Sequence, residues 1–228
     1  MWLGFVLFRG RRYGKMVLEE IRGIPTIVFP GVFHPGLFLS TSLLLDVLDR
    51  VRLKSNASVL DLGTGTGICA IFVAKKGAQV TATDISPLAV RCARVNVLLN
   101  SVESRVRVVE GDLFQPVEQE RFDLIIVNPP YYRGKPRSWP EYAWRGDNVL
   151  GRFVDGLGAH IAEGARALIS ASTELDLPAV REKLRANGFE VREIGKRRLP
   201  GETIYVYECV PSRRTERLTG EGSESGQQ

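Results

Sequence analysis

Four consecutive residues, Asn128-Pro129-Pro130-Tyr131, combine the groups with the most evident chemical use in this sequence. They follow the apolar run Phe122–Val127, and because each proline fixes φ and lacks an N–H donor, a strand must end there. An amide oxygen, uncovered backbone carbonyls and an aromatic face then lie together. A planar NH2 group needs acceptors for both hydrogens and a flat surface for stacking. The segment therefore predicts a binding site for such a nitrogen, with a plain strand-ending turn as the alternative.

A glycine-rich turn supplies a second candidate site. Gly63, Gly65 and Gly67 follow Asp61 between a predicted strand and a predicted helix. Glycines there let a ligand approach the backbone and leave N–H groups open at the helix N-terminus. A G-x-G pattern alone is common, but its position between strand and helix makes it informative. Asp61 is poorly placed to cap the helix, so we expect it to order the loop or to bind an amino group.

Two further carboxylates follow the next predicted strands. Asp84, 21 residues after Gly63, can accept both hydroxyls of a ribose. Asp112 can accept hydrogens from an exocyclic amine such as that of adenine, while Leu113 packs on the ring. A helix N-cap is the alternative role for either aspartate. Because the carboxyl ends of parallel strands meet at one edge of a sheet, these residues together predict a nucleoside site.

Alternating strands and helices must position these residues. The predicted strands are Ser58–Leu62, Gln79–Thr83, Arg105–Glu110, Phe122–Val127, Arg166–Ala171, Phe189–Ile194 and Glu202–Val210. The predicted helices are Leu37–Arg52, Ile68–Lys76, Pro87–Asn100, Val149–Ala162 and Leu177–Asn187. The alternation predicts an α/β, Rossmann-like fold with a seven-stranded, mostly parallel sheet and helices on both faces. The last two strands are too close in sequence for a crossover helix, so we expect an antiparallel pair.

Composition and charge fit one α/β domain. Of the 228 residues, 44% are hydrophobic and 25% charged, and the net charge is +5. Four basic residues and no acid lie in the first fifteen positions, which leaves +1 for residues 16–228: Arg9, Arg11, Arg12 and Lys15. A nearly neutral body is not typical of a protein that binds phosphates broadly. We predict an extension over 1–15, a domain over 16–210 and a disordered, polar tail over 211–228.

Cysteine usage indicates a reducing compartment. Cys69, Cys92 and Cys209 are far apart and the chain has two histidines, so neither a zinc pattern nor a disulfide framework is present. The apolar run 2–8 is too short to span a bilayer and lacks the features of a signal peptide. We therefore expect a cytoplasmic protein with buried thiols, no metal site and no membrane segment.

The glycine loop also discriminates between nucleoside cofactors. It reads G-T-G-T-G instead of G-x-G-x-x-G and contains no Arg or Lys for a pyrophosphate. Nothing near Asn128 suggests hydride chemistry. S-adenosylmethionine therefore fits the predicted crevice better than a dinucleotide does.

The sequence resembles the class I S-adenosylmethionine-dependent methyltransferases, and within them the HemK-type release-factor glutamine methyltransferases. The segments that carry the resemblance are Asp61–Gly67, Asp84–Pro87, Gly111–Phe114 and Phe122–Tyr131, with Arg185–Glu190 and Arg197–Thr203 similar to the short branch of archaea and eukaryotes. That branch has no separate N-terminal helical domain and works with a small zinc-binding activator. The resemblance implies cofactor contacts from nine residues: Thr41, Asp61, Gly63, Gly65, Gly67, Asp84, Asp112, Leu113 and Asn128.

The N-terminal part departs from that branch. Before the leucine-rich helix the branch usually has a Pro-x-Glu-Asp-Thr segment, but in residues 33–41 of this chain only Thr41 can be matched. The segment Phe29–Phe33 instead is similar to ribosomal-RNA guanine methyltransferases with the same tetrad. The departure concerns the substrate and leaves the cofactor unaffected.

Two acceptors for the methyl group are therefore open. The first is a protein side-chain amide, such as a release-factor glutamine, with Asn128 and Pro129 accepting its N–H groups and Pro130 and Tyr131 lining the site. The second is an exocyclic amine of adenine or guanine in RNA or DNA, with Tyr131 stacking on a flipped base. A basic loop would then follow the nucleic-acid backbone: Arg133, Lys135, Arg137 and Arg145. A binding subunit without catalysis is the third reading, and the intact tetrad and glycine loop argue against it.

Overall fold

The computed structural model describes residues 14–131 and 148–212. The strands are β1 Val17–Ile21, β2 Ile24–Val28, β3 Ser58–Leu62, β4 Gln79–Asp84, β5 Val106–Glu110, β6 Phe122–Val127, β7 Ile161–Ser172, β8 Phe189–Leu199 and β9 Glu202–Pro211. The helices are α1 Leu39–Arg50, α2 Ile68–Lys75, α3 Pro87–Leu99, α4 Val149–His160 and α5 Leu177–Ala186, with a 3-10 turn over Gln115–Val117.

Seven of these strands form one sheet in the order β5-β4-β3-β6-β7-β9-β8. Strands β3 to β7 are mutually parallel, whereas β9 runs antiparallel to both β7 and β8. This confirms the predicted sheet and its antiparallel C-terminal pair. The chain winds outward from β3 to β5 and then returns to β6 beside β3, so the order reverses between β3 and β6. Open α/β sheets bind ligands outside the carboxyl ends of strands at such a point.

Helices cover both faces of the sheet, as predicted. Alternate residues of β3 belong to different apolar clusters, Val59 to one and Leu60 to the other. The first cluster includes buried residues of α1 and α2, and the second includes Phe153 of α4 and Leu184 of α5. Strands that are buried on both faces read as continuous apolar runs, which explains why β6 shows no alternation of polar residues.

The two largest deviations from the predicted boundaries concern β7 and β8, at five residues each. Strand β8 continues past Ile194 to Leu199, through an irregularity in its pairing with β9 between Glu193 and Gly195. A Cβ at Gly195 would lie 2.9 Å from Cγ2 of Val47 in α1. Glycine therefore lets the strand pass directly beneath the helix. Similarly, β7 begins at Ile161 directly after α4, five residues before the predicted start.

A two-stranded hairpin, β1–β2, precedes the sheet and was not predicted. Its tip, Arg22-Gly23, has φ values of 51° and 74°, the left-handed pair of a tight hairpin turn. Asn96 of α3 holds β2: the Ile27 N–H donates to Oδ1 at 2.7 Å, and Nδ2 donates to the Ile27 carbonyl at 2.7 Å. Nδ2 also donates to the Thr66 carbonyl at 2.9 Å. One side chain thus takes the place of a neighbouring strand and ties the hairpin to the glycine loop.

Several predictions concern residues 1–13, 132–147 and 213–228, which lie outside the described part of the chain. They are most of the N-terminal extension, most of the polar tail and the basic loop with Arg133, Lys135, Arg137 and Arg145. Within the described ranges, no helix is both long and apolar enough to cross a membrane. The three cysteines are buried free thiols, as expected.

Candidate active site at the carboxyl edge of the sheet

The pairing of β3 with β6 brings the two main motifs together. Leu62 lies opposite Val127 in this parallel pair, so Gly63 and Asn128 leave neighbouring strands at the same level. The tetrad and the glycine loop therefore begin side by side at the point where the strand order reverses. This juxtaposition follows from β6 being inserted next to β3, which the local sequence does not specify.

The glycine loop has the backbone that only glycine adopts readily. Gly63, Gly65 and Gly67 have φ values of 68°, 56° and 81°. A Cβ added at Gly63 or Gly65 would meet no protein atom within 4 Å, so the backbone there is open to a ligand. At Gly67 a Cβ would lie 3.2 Å from Cβ of Ala93, which shows that this glycine serves the contact between α2 and α3.

Asp61 is buried behind this loop, with 4% of its surface exposed. Its Oδ2 accepts the Thr64 hydroxyl at 2.6 Å and the Ala70 N–H at 3.2 Å. Burial raises the pKa of Asp61 to about 6, against the lowering effect of these two bonds and with a further rise from the charge of Asp84. Among the described residues no hydrogen bond uses Oδ1. The carboxylate therefore orders the loop with one oxygen and leaves the other for a ligand.

Asp84 joins the loop to the next helix. Its Oδ2 accepts the Gly65 N–H and its Oδ1 accepts the Ser86 N–H, both at 2.9 Å. Burial raises the pKa of Asp84, and the backbone donors oppose that rise. Helix α3 is capped by Ser86, whose hydroxyl accepts the Ala89 N–H at 3.4 Å. The capping alternative is thus excluded for Asp84.

Asp112 has a partner that was not expected. Arg152 of α4 donates to Oδ2 at 2.5 Å and to Oδ1 at 3.3 Å, and the Asp112 side chain is 36% exposed. This ion pair raises the pKa of Arg152. Exposed pairs of this kind contribute only about 0–1 kcal/mol, so a ligand amine can compete for the carboxylate. Leu113 follows with φ 49° and packs at the edge of the apolar cluster that includes Phe114.

The tetrad is held by residues that the sequence did not indicate. The Tyr131 hydroxyl donates to Asn128 Oδ1 at 2.9 Å and lies 2.5 Å from Oγ of Ser170 in β7. Asn128 Nδ2 donates to Oγ of Ser40 at 3.4 Å, in the first turn of α1. The sequence predicted Tyr131 as a residue that lines the acceptor site, and in the structure its hydroxyl also contacts the Asn128 amide. Ser170 is one small polar residue in an otherwise apolar buried strand, a weak signal in a single sequence.

The remaining predicted residues lie at the same edge. Thr41 is buried beside Ser40 at the start of α1. Pro129 is buried, whereas Asn128 and Pro130 are half-buried. The open glycine backbone, the unused oxygen of Asp61 and the two further carboxylates are donors and acceptors that fit the amino acid and nucleoside parts of S-adenosylmethionine.

Comparison with known proteins identifies the family. The model of the methyltransferase small domain matches residues 25–191. A Methanocaldococcus jannaschii protein, provisionally named a protein N5-glutamine methyltransferase, is 34% identical over 83% of this chain and 97% of its own length. The release factor glutamine methyltransferase of Clostridium acetobutylicum is 36% identical over 50% of this chain. Ribosomal RNA small subunit methyltransferase C of Alcanivorax borkumensis is 32% identical over 52%. The chain spans 41% and 36% of the length of these last two proteins.

Solved structures share the fold. The E. cuniculi Mtq2–Trm112 complex, which methylates the eRF1 translation termination factor, matches 80% of this chain and 99% of its own with a TM-score of 0.62 and 24% identity. A T. thermophilus 16S rRNA N2 methyltransferase with bound AdoMet and guanosine matches 87% of this chain and 50% of its own, with a TM-score of 0.65 and 21% identity. The chain therefore belongs to the methyltransferase small domain family, and it is a class I S-adenosylmethionine-dependent N-methyltransferase.

Proposed function

We propose that this enzyme methylates the side-chain amide of a glutamine in a protein, and that a translation release factor is the substrate. The observation that carries this proposal is the placement of Asn128 beside Gly63, through the pairing of Leu62 with Val127. The match to the M. jannaschii relative along 97% of its length supports an amide acceptor, since the ribosomal RNA enzyme is matched over 36% of its own. A substrate in translation also implies a cytoplasmic location.

We assign cofactor binding to the glycine loop and the carboxylates around it. Oδ1 of Asp61 would bind the amino group, Asp84 the ribose hydroxyls and Asp112 the adenine amine, with Leu113 against the ring. The other assigned residues are Thr41, Gly63, Gly65, Gly67 and Asn128. When bound, S-adenosylmethionine supplies a methyl group on a positively charged sulfur. The assignment of an ammonium partner to Asp61 agrees with its burial, because a buried carboxylate binds a cation more strongly than an exposed one.

The tetrad would act on the acceptor by orientation. An amide nitrogen is a poor nucleophile, because its lone pair is delocalised into the carbonyl. Asn128 Oδ1 has a second lone pair beside the one that Tyr131 uses, so it can accept one N–H of the acceptor while the Pro129 carbonyl accepts the other. Holding the nitrogen in line with the methyl group and away from water can contribute several kcal/mol. Pro130 and Tyr131 would line the acceptor site.

The second candidate is an exocyclic amine of adenine or guanine in RNA or DNA. It is favoured by the similarity of 52% of this chain to a ribosomal RNA methyltransferase. A small zinc-binding activator is a proposed partner for either substrate. The solved Mtq2–Trm112 complex supports that part of the proposal.

Label transfer decides between the two acceptors. Purified enzyme, with and without a co-expressed activator of the Trm112 type, is incubated with radioactive S-adenosylmethionine and either a release factor or total ribosomal RNA. We expect label in the release factor and its loss when the acceptor glutamine is changed to alanine. Asn128→Ala should lower the transfer rate about 100-fold or more, which is the loss typical when one preorganised hydrogen-bonding partner of a reacting group is removed. Label confined to RNA, or undiminished transfer by Asn128→Ala, would contradict the proposal.

A further inference from the structure

A chain of side chains links the tetrad to the sheet and to α1. Its members, the hydroxyl–amide chain, are Ser170, Tyr131, Asn128 and Ser40, at successive distances of 2.5, 2.9 and 3.4 Å. Its two ends come from different elements, β7 and α1. Asn128 itself lies just beyond β6, where no strand neighbour holds its side chain. The orientation of its amide therefore depends on this chain.

The direction of the hydrogen bonds can be derived. Tyr131 has one hydroxyl proton, and it is donated to Asn128 Oδ1. The short contact with Ser170 must then use the Ser170 proton, with the Tyr131 oxygen as acceptor. Burial raises the pKa of the Tyr131 phenol further above its ordinary value, so the hydroxyl keeps its proton at physiological pH.

Ser170 is the fixed end of the chain. Its side chain is fully buried, and β7 pairs on both sides: Ile169 lies opposite Val127 in β6, and Ser170 lies opposite Val206 in β9. A residue between two ladders moves little. Tyr131, in contrast, follows two prolines and has left the sheet. A rigid strand thus anchors a side chain in a segment that the sheet does not otherwise hold.

We infer that Ser170 is a positioning residue for methyl transfer, acting through Tyr131 on the Asn128 amide. By occupying one lone pair of Oδ1, the Tyr131 hydroxyl directs the other lone pair at the acceptor nitrogen. Loss of the Ser170 hydroxyl removes the bond that ties Tyr131 to β7, so the Tyr131 hydroxyl and the Asn128 amide that it contacts are held less rigidly. The inference rests on the proposed role of Asn128 as acceptor of the substrate N–H group.

A double-mutant cycle tests this coupling. The variants are Ser170→Ala, Tyr131→Phe and both together, each assayed for kcat and KM with saturating and limiting S-adenosylmethionine. We expect kcat to fall about 10- to 100-fold in each single variant, since small misplacements of reacting groups have effects of this size. The KM for S-adenosylmethionine should change less than about threefold. Because both residues act through one chain, the double variant should be no slower than the slower single variant.

Ser172→Ala is the matched control. Ser172 lies on the same face of β7 and is equally buried, but its hydroxyl accepts the Glu174 N–H in the following turn. We expect wild-type kcat for this variant. Equal kcat in Ser170→Ala and wild type, multiplied effects in the double variant, or faster turnover in Tyr131→Phe would each overturn the inference. Tyr131 lies outside the sheet, so its replacement by phenylalanine should not disturb folding. Tyr131→Phe therefore tests the inference even if Ser170→Ala does not fold.

The cycle separates this inference from the proposed function. It is run with whichever acceptor takes up label from the wild-type enzyme. Transfer to RNA in place of a release factor would contradict the proposed substrate, while the coupling between Ser170 and Tyr131 would still be measurable. Transfer to a release factor with uncoupled effects would instead contradict the positioning role alone.

Discussion

At the residue scale, the buried carboxylate of Asp61 lowers the stability of the fold when it is ionised. The pKa of its carboxyl is about 6 in the fold, above the ordinary value of 3.8, because burial disfavours the charged form. The folded protein therefore holds this proton more tightly than the unfolded chain does. The cost of ionisation is absent below the unfolded pKa, grows as pH rises through the interval between the two values, and is complete above about pH 6. A shift of this size corresponds to about 3 kcal/mol.

We predict that Asp61→Asn stabilises the cofactor-free enzyme at about pH 8 by roughly 1–3 kcal/mol. Asparagine is neutral and keeps an oxygen for the Ala70 N–H, so the cost of a buried charge disappears. The advantage should vanish toward about pH 4, where Asp61 is protonated. Urea denaturation at both pH values measures the difference. A stability difference that does not change with pH would mean that ionisation of Asp61 does not cause it.

At the element scale, α3 connects hairpin β1–β2 with the glycine loop. Asn96 contacts β2 and the glycine loop, and Asn100 Nδ2 donates to the Pro25 carbonyl at 2.8 Å. Hairpin β1–β2 is thus attached through side-chain amides rather than through the main sheet. The sequence between the hairpin and α1 contains part of the segment that departs from the HemK-type pattern.

We predict that Asn96→Ala lowers the free energy of unfolding by about 2–4 kcal/mol. The change leaves the Ile27 N–H and the Thr66 carbonyl without a partner, whereas the Ile27 carbonyl keeps a bond from the Cys92 thiol at 3.3 Å. Each buried group that loses its partner costs about 1–3 kcal/mol. Chemical denaturation measures the loss, and hydrogen exchange at Ile27 should accelerate. The control is Asn187→Ala, whose exposed amide bonds only the Lys183 carbonyl at the end of α5. If both variants lose the same free energy of unfolding, the hydrogen bonds of Asn96 to the hairpin do not stabilise the fold more than an exposed amide does.

Local signals explain which elements could be predicted. Strands β3 and β6 have the predicted bounds because glycine and Pro129 end them within one residue. The end of β8 was missed because Gly195 reads as a stop, whereas it allows contact with Val47. In the site, glycines and carboxylates were identified from their positions after strands. Arg152, Ser40 and Ser170 were not, because each reaches the site from an element distant in sequence.

At the scale of the whole molecule, the positive charge is distributed unevenly along the sequence. The first fifteen residues account for four of the five net positive charges. A body close to neutral suits a protein acceptor better than a long nucleic acid, whose binding depends on contacts to many phosphates. The order of strands concentrates the chemistry at one edge.

We predict that an enzyme starting at Met16 methylates a protein acceptor with kcat/KM within about twofold of the full chain. The deletion removes charge but leaves β1, which begins at Val17, intact. Steady-state kinetics at low and moderate salt measure the comparison. With an RNA acceptor the same deletion should weaken binding and reduce its salt dependence. A large loss with the protein acceptor would assign the extension to substrate binding.

The contact of Gly195 with α1 affects the position of residues at the other end of that helix. Because Val47 rests on the backbone of β8 at Gly195, the height of α1 above the sheet is set by the last hairpin of the chain. Ser40, in the first turn of the same helix, accepts a hydrogen bond from the Asn128 amide. Strands β8 and β9 contribute no assigned reacting group. They nevertheless set the distance of α1 from the sheet, and with it the position of the helix turn that contacts Asn128.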